Sequence, residues 1–99
     1  MAKRLSFLDE GVVEAHKAWL WYQERSEQAG YRFQQAFEEA IEKIQSHPDR
    51  WPGYLLETKC VTLKRFPYLI IYRELEDELQ VIAVAHAHRR PGYWKQRLS

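Results

Sequence analysis

The chain has 99 residues, one cysteine and a formal net charge of +1. This length fits one domain, so residues 1–99 are assigned to a single domain. The lone Cys60 excludes an internal disulfide and a four-cysteine zinc site. The longest run without polar side chains extends only from Phe66 to Tyr72, far short of a membrane span, and no signal peptide is visible. We therefore expect a soluble cytoplasmic domain with no membrane partner.

The small net charge conceals a difference between the two halves of the chain. Residues 1–57 carry seven Lys/Arg and ten Asp/Glu, whereas residues 58–99 carry eight and four. The four acids of the second half all lie between Glu74 and Glu78. Such asymmetry points to a surface that faces a polyanion, although a charge run is also typical of a solvated face.

The first half predicts a short strand followed by two helices. Arg4–Leu8 alternates as a strand does, Asp9 is expected to cap the first helix, and Gly30 is expected to end that helix in a left-handed conformation. Pro48 is expected to end the second helix. The apolar face of the second helix follows the spacing i, i+4, i+7, i+8, i+11 and comprises Phe33, Phe37, Ala40, Ile41 and Ile44. The two helices should form an antiparallel hairpin.

In the second half of the chain, apolar residues follow the two-residue period of β-strands. Strands are predicted at Thr58–Leu63, Tyr68–Arg73 and Leu79 to about His88, with a charged turn at Glu74–Glu78. The last two strands are apolar on both faces, which is typical of central strands. The prediction is an α+β fold in which the N-terminal strand joins an antiparallel sheet of about four strands, covered on one side by the helix hairpin.

A first group of basic residues surrounds the turn between the first two of these later strands. It comprises Lys59, Lys64, Arg65 and Arg73. If Lys64 and Arg65 project from the tip of a hairpin, they could hold phosphate. The alternative is a basic rim that only increases solubility.

A second group lies at the end of the last strand, in the sequence His86-Ala87-His88-Arg89-Arg90. If the strand continues, His86, His88 and Arg90 share one face and Arg89 the other. Imidazoles beside guanidinium groups could cleave RNA without a metal, by moving the 2′-hydroxyl proton and stabilising the phosphorane. The alternative is a hydrogen-bonded histidine pair at a sheet edge. A zinc site is not expected, because Cys60, His16 and His47 have no distinctive spacing to the pair.

A third group is the aromatic pair Tyr93-Trp94 near Arg97. These residues could stack on unpaired bases. They could equally form an amphipathic tail that packs on the sheet, which is the interpretation we favour for Trp94. Cys60 lies in mid-strand, where a lone cysteine is more often a small core residue than a nucleophile.

These motifs together resemble the RelE/ParE toxin superfamily. The resemblance rests on the hairpin 64–73, the strand 81–86 and the tail 89–97, with Trp21-Tyr22 and residues 30–33 matching upstream. It implies the toxin of a type II toxin–antitoxin pair, of the kind also described as plasmid stabilisation. It implies a cognate antitoxin, expected to be acidic and to fold on binding.

The superfamily splits by target, and the resemblance leaves both targets open. RelE-like members cleave mRNA in the ribosomal A site without metal, whereas ParE-like members poison DNA gyrase. By resemblance, Arg65 and Lys59 fall near basic positions of the family and Tyr93 near its C-terminal tyrosine. Ala87 stands where RelE-like enzymes carry a catalytic arginine.

The first prediction is a toxin that inhibits translation as a metal-independent, ribosome-dependent mRNA endonuclease without a cofactor. Its expected catalytic residues are Arg65, His86, His88, Arg89 and Tyr93. Its expected nucleic-acid-binding residues are Lys59, Lys64, Arg65, Arg73, Arg89, Arg90 and Arg97. The alternatives are a non-catalytic gyrase inhibitor and an inactive homologue.

Overall fold

The computed structural model describes residues 3–98, so both ends of the predicted 1–99 domain lie outside the described residues. The elements follow the predicted order of one strand, two helices and three strands. They are β1 (Arg4–Phe7), α1 (Asp9–Arg25), α2 (Glu27–Ser46), β2 (Lys59–Thr62), β3 (Tyr68–Glu74) and β4 (Glu78–His86). The predicted α+β class is confirmed. Within residues 3–98, neither helix has the length and apolar character needed to cross a membrane.

The four strands form one sheet in the order β1-β4-β3-β2. The three later strands are antiparallel neighbours, whereas β1 pairs with β4 in parallel. The sheet is therefore mixed at one edge rather than wholly antiparallel. The helix hairpin and two strands lie between β1 and β4 along the chain, and they supply the long connection that a parallel pair requires.

The ends of the helices differ from the predicted ones. Leu8 occupies the N-cap of α1, so Asp9 lies inside the first turn, where its charge still favours the helix dipole. The junction between the helices is the single residue Ser26, whose side chain accepts a hydrogen bond from the Ala29 N–H at 2.9 Å. That bond caps α2.

Gly30 does not end α1, and the prediction for this residue was wrong. Gly30 is buried inside α2. A Cβ atom at this position would lie 3.0 Å from the Gln23 Cα on α1. Glycine is needed here because the two helices approach closely beside their junction, and not because a turn requires a left-handed residue.

The helix hairpin covers one face of the sheet and forms the larger part of the core. Phe33 is 2% exposed, and its ring lies 5.3 Å from that of Phe66 and 5.5 Å from that of Tyr68. Phe37 is only partly buried at the edge of this cluster. The buried residues of this layer include Ile44, Val61, Leu63, Ile70, Tyr72, Leu79 and Val81.

The C-terminal tail covers the opposite face of the sheet. Trp94 is 1% exposed and packs with Ile71, Ile82, Ala83 and Ala85. The prediction that Trp94 packs on the sheet is therefore confirmed. Burial of an indole of this size on a second small core explains why the tail is fixed against the sheet.

Candidate functional site

The tail is joined to α1 by a cluster centred on the Glu14 carboxylate. Arg97 donates to both carboxylate oxygens, at 2.8 Å and 3.0 Å, as a bidentate pair. The Tyr93 hydroxyl donates to Glu14 Oε2 at 2.5 Å. The side chains of Glu14 and Arg97 are each 17% exposed. We call Glu14, Tyr93 and Arg97 the tail clamp.

A β-bulge allows the tail clamp to reach the sheet. The register between β3 and β4 shifts once and leaves Ile82 without a partner on β3, while β1 pairs with β4 only as far as Val81. The Ile82 carbonyl accepts from Arg97 at 3.1 Å, and the Val84 N–H donates to Glu14 at 3.0 Å. The tail clamp therefore satisfies backbone groups on a stretch of strand edge that β1 does not cover.

The tail clamp perturbs the ionisation of its own members. Burial opposes the charged form of Glu14, but hydrogen bonds from Arg97, Tyr93 and the Val84 N–H outweigh it and lower the pKa of this carboxyl. Burial, together with the hydrogen bond to Glu14, raises the pKa of Tyr93 well above its usual value. A phenol held by a carboxylate in this way is a poor proton acceptor at neutral pH. Proton transfer by Tyr93 stays a prediction, and the geometry gives the side chain a structural partner.

The predicted histidine pair forms, but not by strand alternation. β4 ends at His86, so the predicted shared face of His86, His88 and Arg90 does not exist as a strand face. The chain turns instead, and the Arg89 N–H donates to the His86 carbonyl at 2.9 Å. The His88 N–H donates to His86 Nδ1 at 3.1 Å, with 5.0 Å between the ring centroids.

A groove of about 280 Å³ opens beside the histidine pair. The Arg89 guanidinium lies 3.8 Å over the ring of Tyr93. The groove is lined by Glu14, Lys17, Trp21, His86, Arg89 and Tyr93, among other residues. His86, Arg89 and Tyr93 of the predicted catalytic set therefore lie together.

Arg65 of the predicted catalytic set lies in a different groove, of about 490 Å³, between α2 and the turn that joins β2 to β3. Lys64 lines the same groove, as does Arg32, which sequence reasoning missed. Arg32 lies far from Lys64 along the chain, and helical periodicity shows only that it is on the polar face of α2. We call Arg32, Lys64 and Arg65 the basic groove. Glu39 lines the same groove, so three cations outnumber one carboxylate there, and this excess of positive charge suits an anionic partner.

The remaining predicted nucleic-acid-binding residues are dispersed. The Lys59 ammonium donates to the Pro48 carbonyl at 3.1 Å. Arg73 donates to Gln80 Oε1 at 2.9 Å, and Arg97 belongs to the tail clamp. Arg90 is exposed. The basic residues of the second half thus do not form one continuous surface.

Cys60 is half-buried, and burial raises the pKa of its thiol, which disfavours the thiolate. Over residues 3–98, no three His, Cys, Asp or Glu side chains come together as metal ligands. The two grooves present imidazole, phenol and cationic side chains together with one carboxylate each, Glu14 in the first and Glu39 in the second.

The arrangement of elements is similar to that of a solved structure. A structure described as the chromosomal ParDE TA system from P. aeruginosa superposes with a TM-score of 0.75 at 16% identity, over 88% of this chain and 98% of the other. That similarity concerns the fold. No curated protein sequence matches the chain.

Residues 13–91 match the family model described as the ParE toxin of type II toxin–antitoxin system, parDE. This match begins inside α1 and extends through α2 and the three later strands past the histidine pair, whereas β1, Tyr93 and Arg97 lie outside it. The chain belongs to the ParE toxin family and is a type II toxin–antitoxin toxin.

Proposed function

We propose that this toxin acts in the cytoplasm as a non-catalytic inhibitor of DNA gyrase. Gyrase poisoning is the activity that the superfamily resemblance implies for ParE-like members. Membership of the ParE family supports it over the activity of RelE-like members.

The observation that carries this proposal is the tail clamp. A metal-free nuclease needs its acid, its base and its phosphate-binding cations around one scissile bond. Here Tyr93 and Arg97 are bound to Glu14, and Arg65 lines another groove. Ala87 also stands where the RelE-like arginine is expected. This distribution supports a toxin that acts by binding.

A supercoiling assay tests the proposal. Purified toxin is titrated into gyrase, ATP and relaxed plasmid, and we expect relaxed plasmid to persist. Relaxation of supercoiled plasmid by topoisomerase I in the same buffer is the control and should be unaffected. Normal supercoiling at excess folded toxin would refute gyrase as the target.

We further propose that an acidic antitoxin segment neutralises the toxin by binding the basic groove. Carboxylates would pair with Arg32, Lys64 and Arg65, which are exposed. The product of a short reading frame beside the toxin gene is the candidate. Its affinity should fall with rising salt, and Arg32→Gln should weaken binding more than Arg4→Gln, a matched change at the opposite edge of the sheet.

A ribosome-dependent mRNA endonuclease is the second candidate, and the histidine pair favours it. His86 lines the same groove as Arg89, with His88 in contact. Toeprinting of a translating message tests it: cleavage in the A site that His86→Gln abolishes would support this mechanism. If induction of antitoxin-free protein leaves growth unaffected, the chain is an inactive homologue.

A further inference from the structure

The groove beside the histidine pair is lined by two cations that lack a carboxylate partner. Lys17 belongs to α1, and Arg89 belongs to the turn that follows β4. Both residues are exposed. In the part of the chain that the structure describes, neither of them forms a salt bridge. Unpaired cations around one concavity attract an anionic ligand.

The carboxylate of Glu14 lines the same groove but does not cancel these two charges. Its own charge is matched by Arg97, which donates to both carboxylate oxygens. Two further donors, the Tyr93 hydroxyl and a backbone N–H of β4, also bind it. The tail clamp thus neutralises its own carboxylate, and the positive charge of the other two side chains remains for a ligand.

An exposed indole lies beside the cations. Trp21 lines the groove one turn of α1 beyond Lys17, and it is 48% exposed. The Arg25 guanidinium lies 3.5 Å over its ring and covers one face. A flat aromatic ring stacked on the other face of the indole would lie within reach of the Lys17 ammonium.

Trp21 provides the stacking surface that the sequence suggested for Tyr93 and Trp94. Trp94 is 1% exposed, and the Arg89 guanidinium lies over the ring of Tyr93. These two aromatic side chains are therefore already covered. A guanidinium stacked on a ring keeps the N–H donors at its edge available, and those donors suit a phosphate.

We propose that this groove binds a nucleoside monophosphate, with the base stacked on Trp21 and the phosphate held by Lys17 and Arg89. A terminal phosphate carries a charge of about −1.5 to −2 at pH 7, which two cations match, whereas each phosphate inside a strand carries a single charge. The volume of about 280 Å³ is at the small end for a ligand site and suits one nucleotide. Such binding goes beyond gyrase inhibition and does not depend on it.

Calorimetric titration of the full chain with 5′-AMP tests the site. Adenosine lacks the phosphate and ribose 5-phosphate lacks the base, and we expect each to bind about tenfold more weakly than AMP or worse. Trp21→Ala should weaken AMP binding by about fivefold or more. Tyr31→Ala is the matched control, since it removes an exposed aromatic side chain from α2, and it should bind AMP as the wild type does.

A second variant tests the phosphate contact. Lys17→Gln should weaken the binding of AMP and leave that of adenosine unchanged, because only the phosphate meets the ammonium. Lys43→Gln, at an exposed position of α2, is its matched control and should have no effect. Thermal unfolding of each variant shows that it is folded.

Several results would overturn the site. They are a lack of AMP binding at millimolar concentration, equal binding of AMP and ribose 5-phosphate, and unchanged AMP binding by folded Trp21→Ala and Lys17→Gln. Tighter binding of an oligoadenylate that has no terminal phosphate would also overturn it, because the groove would then be a contact for single strands. The supercoiling assay measures gyrase inhibition separately, so failure of one proposal is distinguishable from failure of the other.

Discussion

Removal of the Glu14 carboxylate should destabilise the fold more than its partly exposed position suggests. Glu14→Ala removes the acceptor of the Tyr93 hydroxyl and the Val84 N–H, and it leaves the Arg97 guanidinium with only the Ile82 carbonyl. Breaking a buried ion pair from one side costs about 3–5 kcal/mol. Because the pair is 17% exposed, water can partly replace the lost contacts, and we expect ~3 kcal/mol.

This loss is large for a domain of 99 residues. Such domains have unfolding free energies of about 5–15 kcal/mol, and each kcal/mol lowers the unfolding temperature by roughly 4–8 °C. Urea unfolding followed by tryptophan fluorescence measures the change, with buried Trp94 beside the affected tail. Glu14→Gln is the matched variant: its single amide oxygen can accept from Val84 or from Tyr93, which bond different oxygens of Glu14, and it should cost less than Glu14→Ala.

A double-mutant cycle separates the contribution of the Glu14–Arg97 ion pair from that of the other hydrogen bonds of the tail clamp. Arg97→Ala and the double variant Glu14→Ala/Arg97→Ala are compared with wild type, and we expect a coupling of about 1.5–3 kcal/mol. A cost below about 1 kcal/mol for Glu14→Ala, or additive effects of the two changes, would refute the reasoning that the tail clamp holds the tail.

Three further predictions concern pH and packing. Since folding lowers the pKa of Glu14, its stabilisation is present above the unfolded-state pKa and is lost as pH falls through the folded-state pKa. The unfolding free energy of Glu14→Gln, measured by urea titration, should therefore fall less between neutral and acidic pH than that of the wild type. An equal fall in both proteins would contradict this. Gly30→Ala should lower the unfolding free energy by ~1 kcal/mol despite the better helix propensity of alanine, because the new methyl group crowds Gln23. Thermal unfolding of this variant at or above the wild-type temperature would contradict the close approach of the two helices. Phe33→Ala should cost about 3–5 kcal/mol in urea unfolding and partly buried Phe37→Ala clearly less, and the reverse order would contradict the burial pattern.

Removal of the Arg65 side chain should leave the fold intact. Arg65 is exposed and has φ 70°, so alanine would meet the same backbone strain without a lost contact. We expect Arg65→Ala to change the unfolding free energy by within about ±0.5 kcal/mol and to weaken toxicity. Loss of soluble protein would instead make Arg65 structural.

Local patterns predicted the elements well because their causes are local. Apolar spacing from Phe33 to Ile44 follows the helical period, and that stripe faces the sheet. Gly30 misled, since a glycine next to a polar stretch suggests a turn, whereas its actual constraint is the neighbouring Gln23 on another helix. A requirement set by the packing of one helix against another leaves no signal in the local pattern of residues.

The candidate site was only partly predictable for the same reason. Tyr93, Arg97 and the histidine pair can be picked out in the sequence. Nothing local indicates that Glu14, which precedes Tyr93 by 79 residues and Arg97 by 83, would hold these two tail residues. The sequence did not predict a role for Arg32 either, because Arg32 is far from Lys64 and Arg65 along the chain. It joins them only because α2 lies beside the turn between β2 and β3.

The sequence by itself determined the order of elements and the excess of basic residues after residue 58. These depend on composition and on periodicity, which act over a few residues. Only the tertiary structure decided how the basic residues are used. It binds Arg97 to Glu14 and Lys59 to Pro48, and it leaves Arg65 exposed in the same groove as Arg32. The physical reason is that a charge is neutralised or exposed according to what the fold brings within about 4 Å of it.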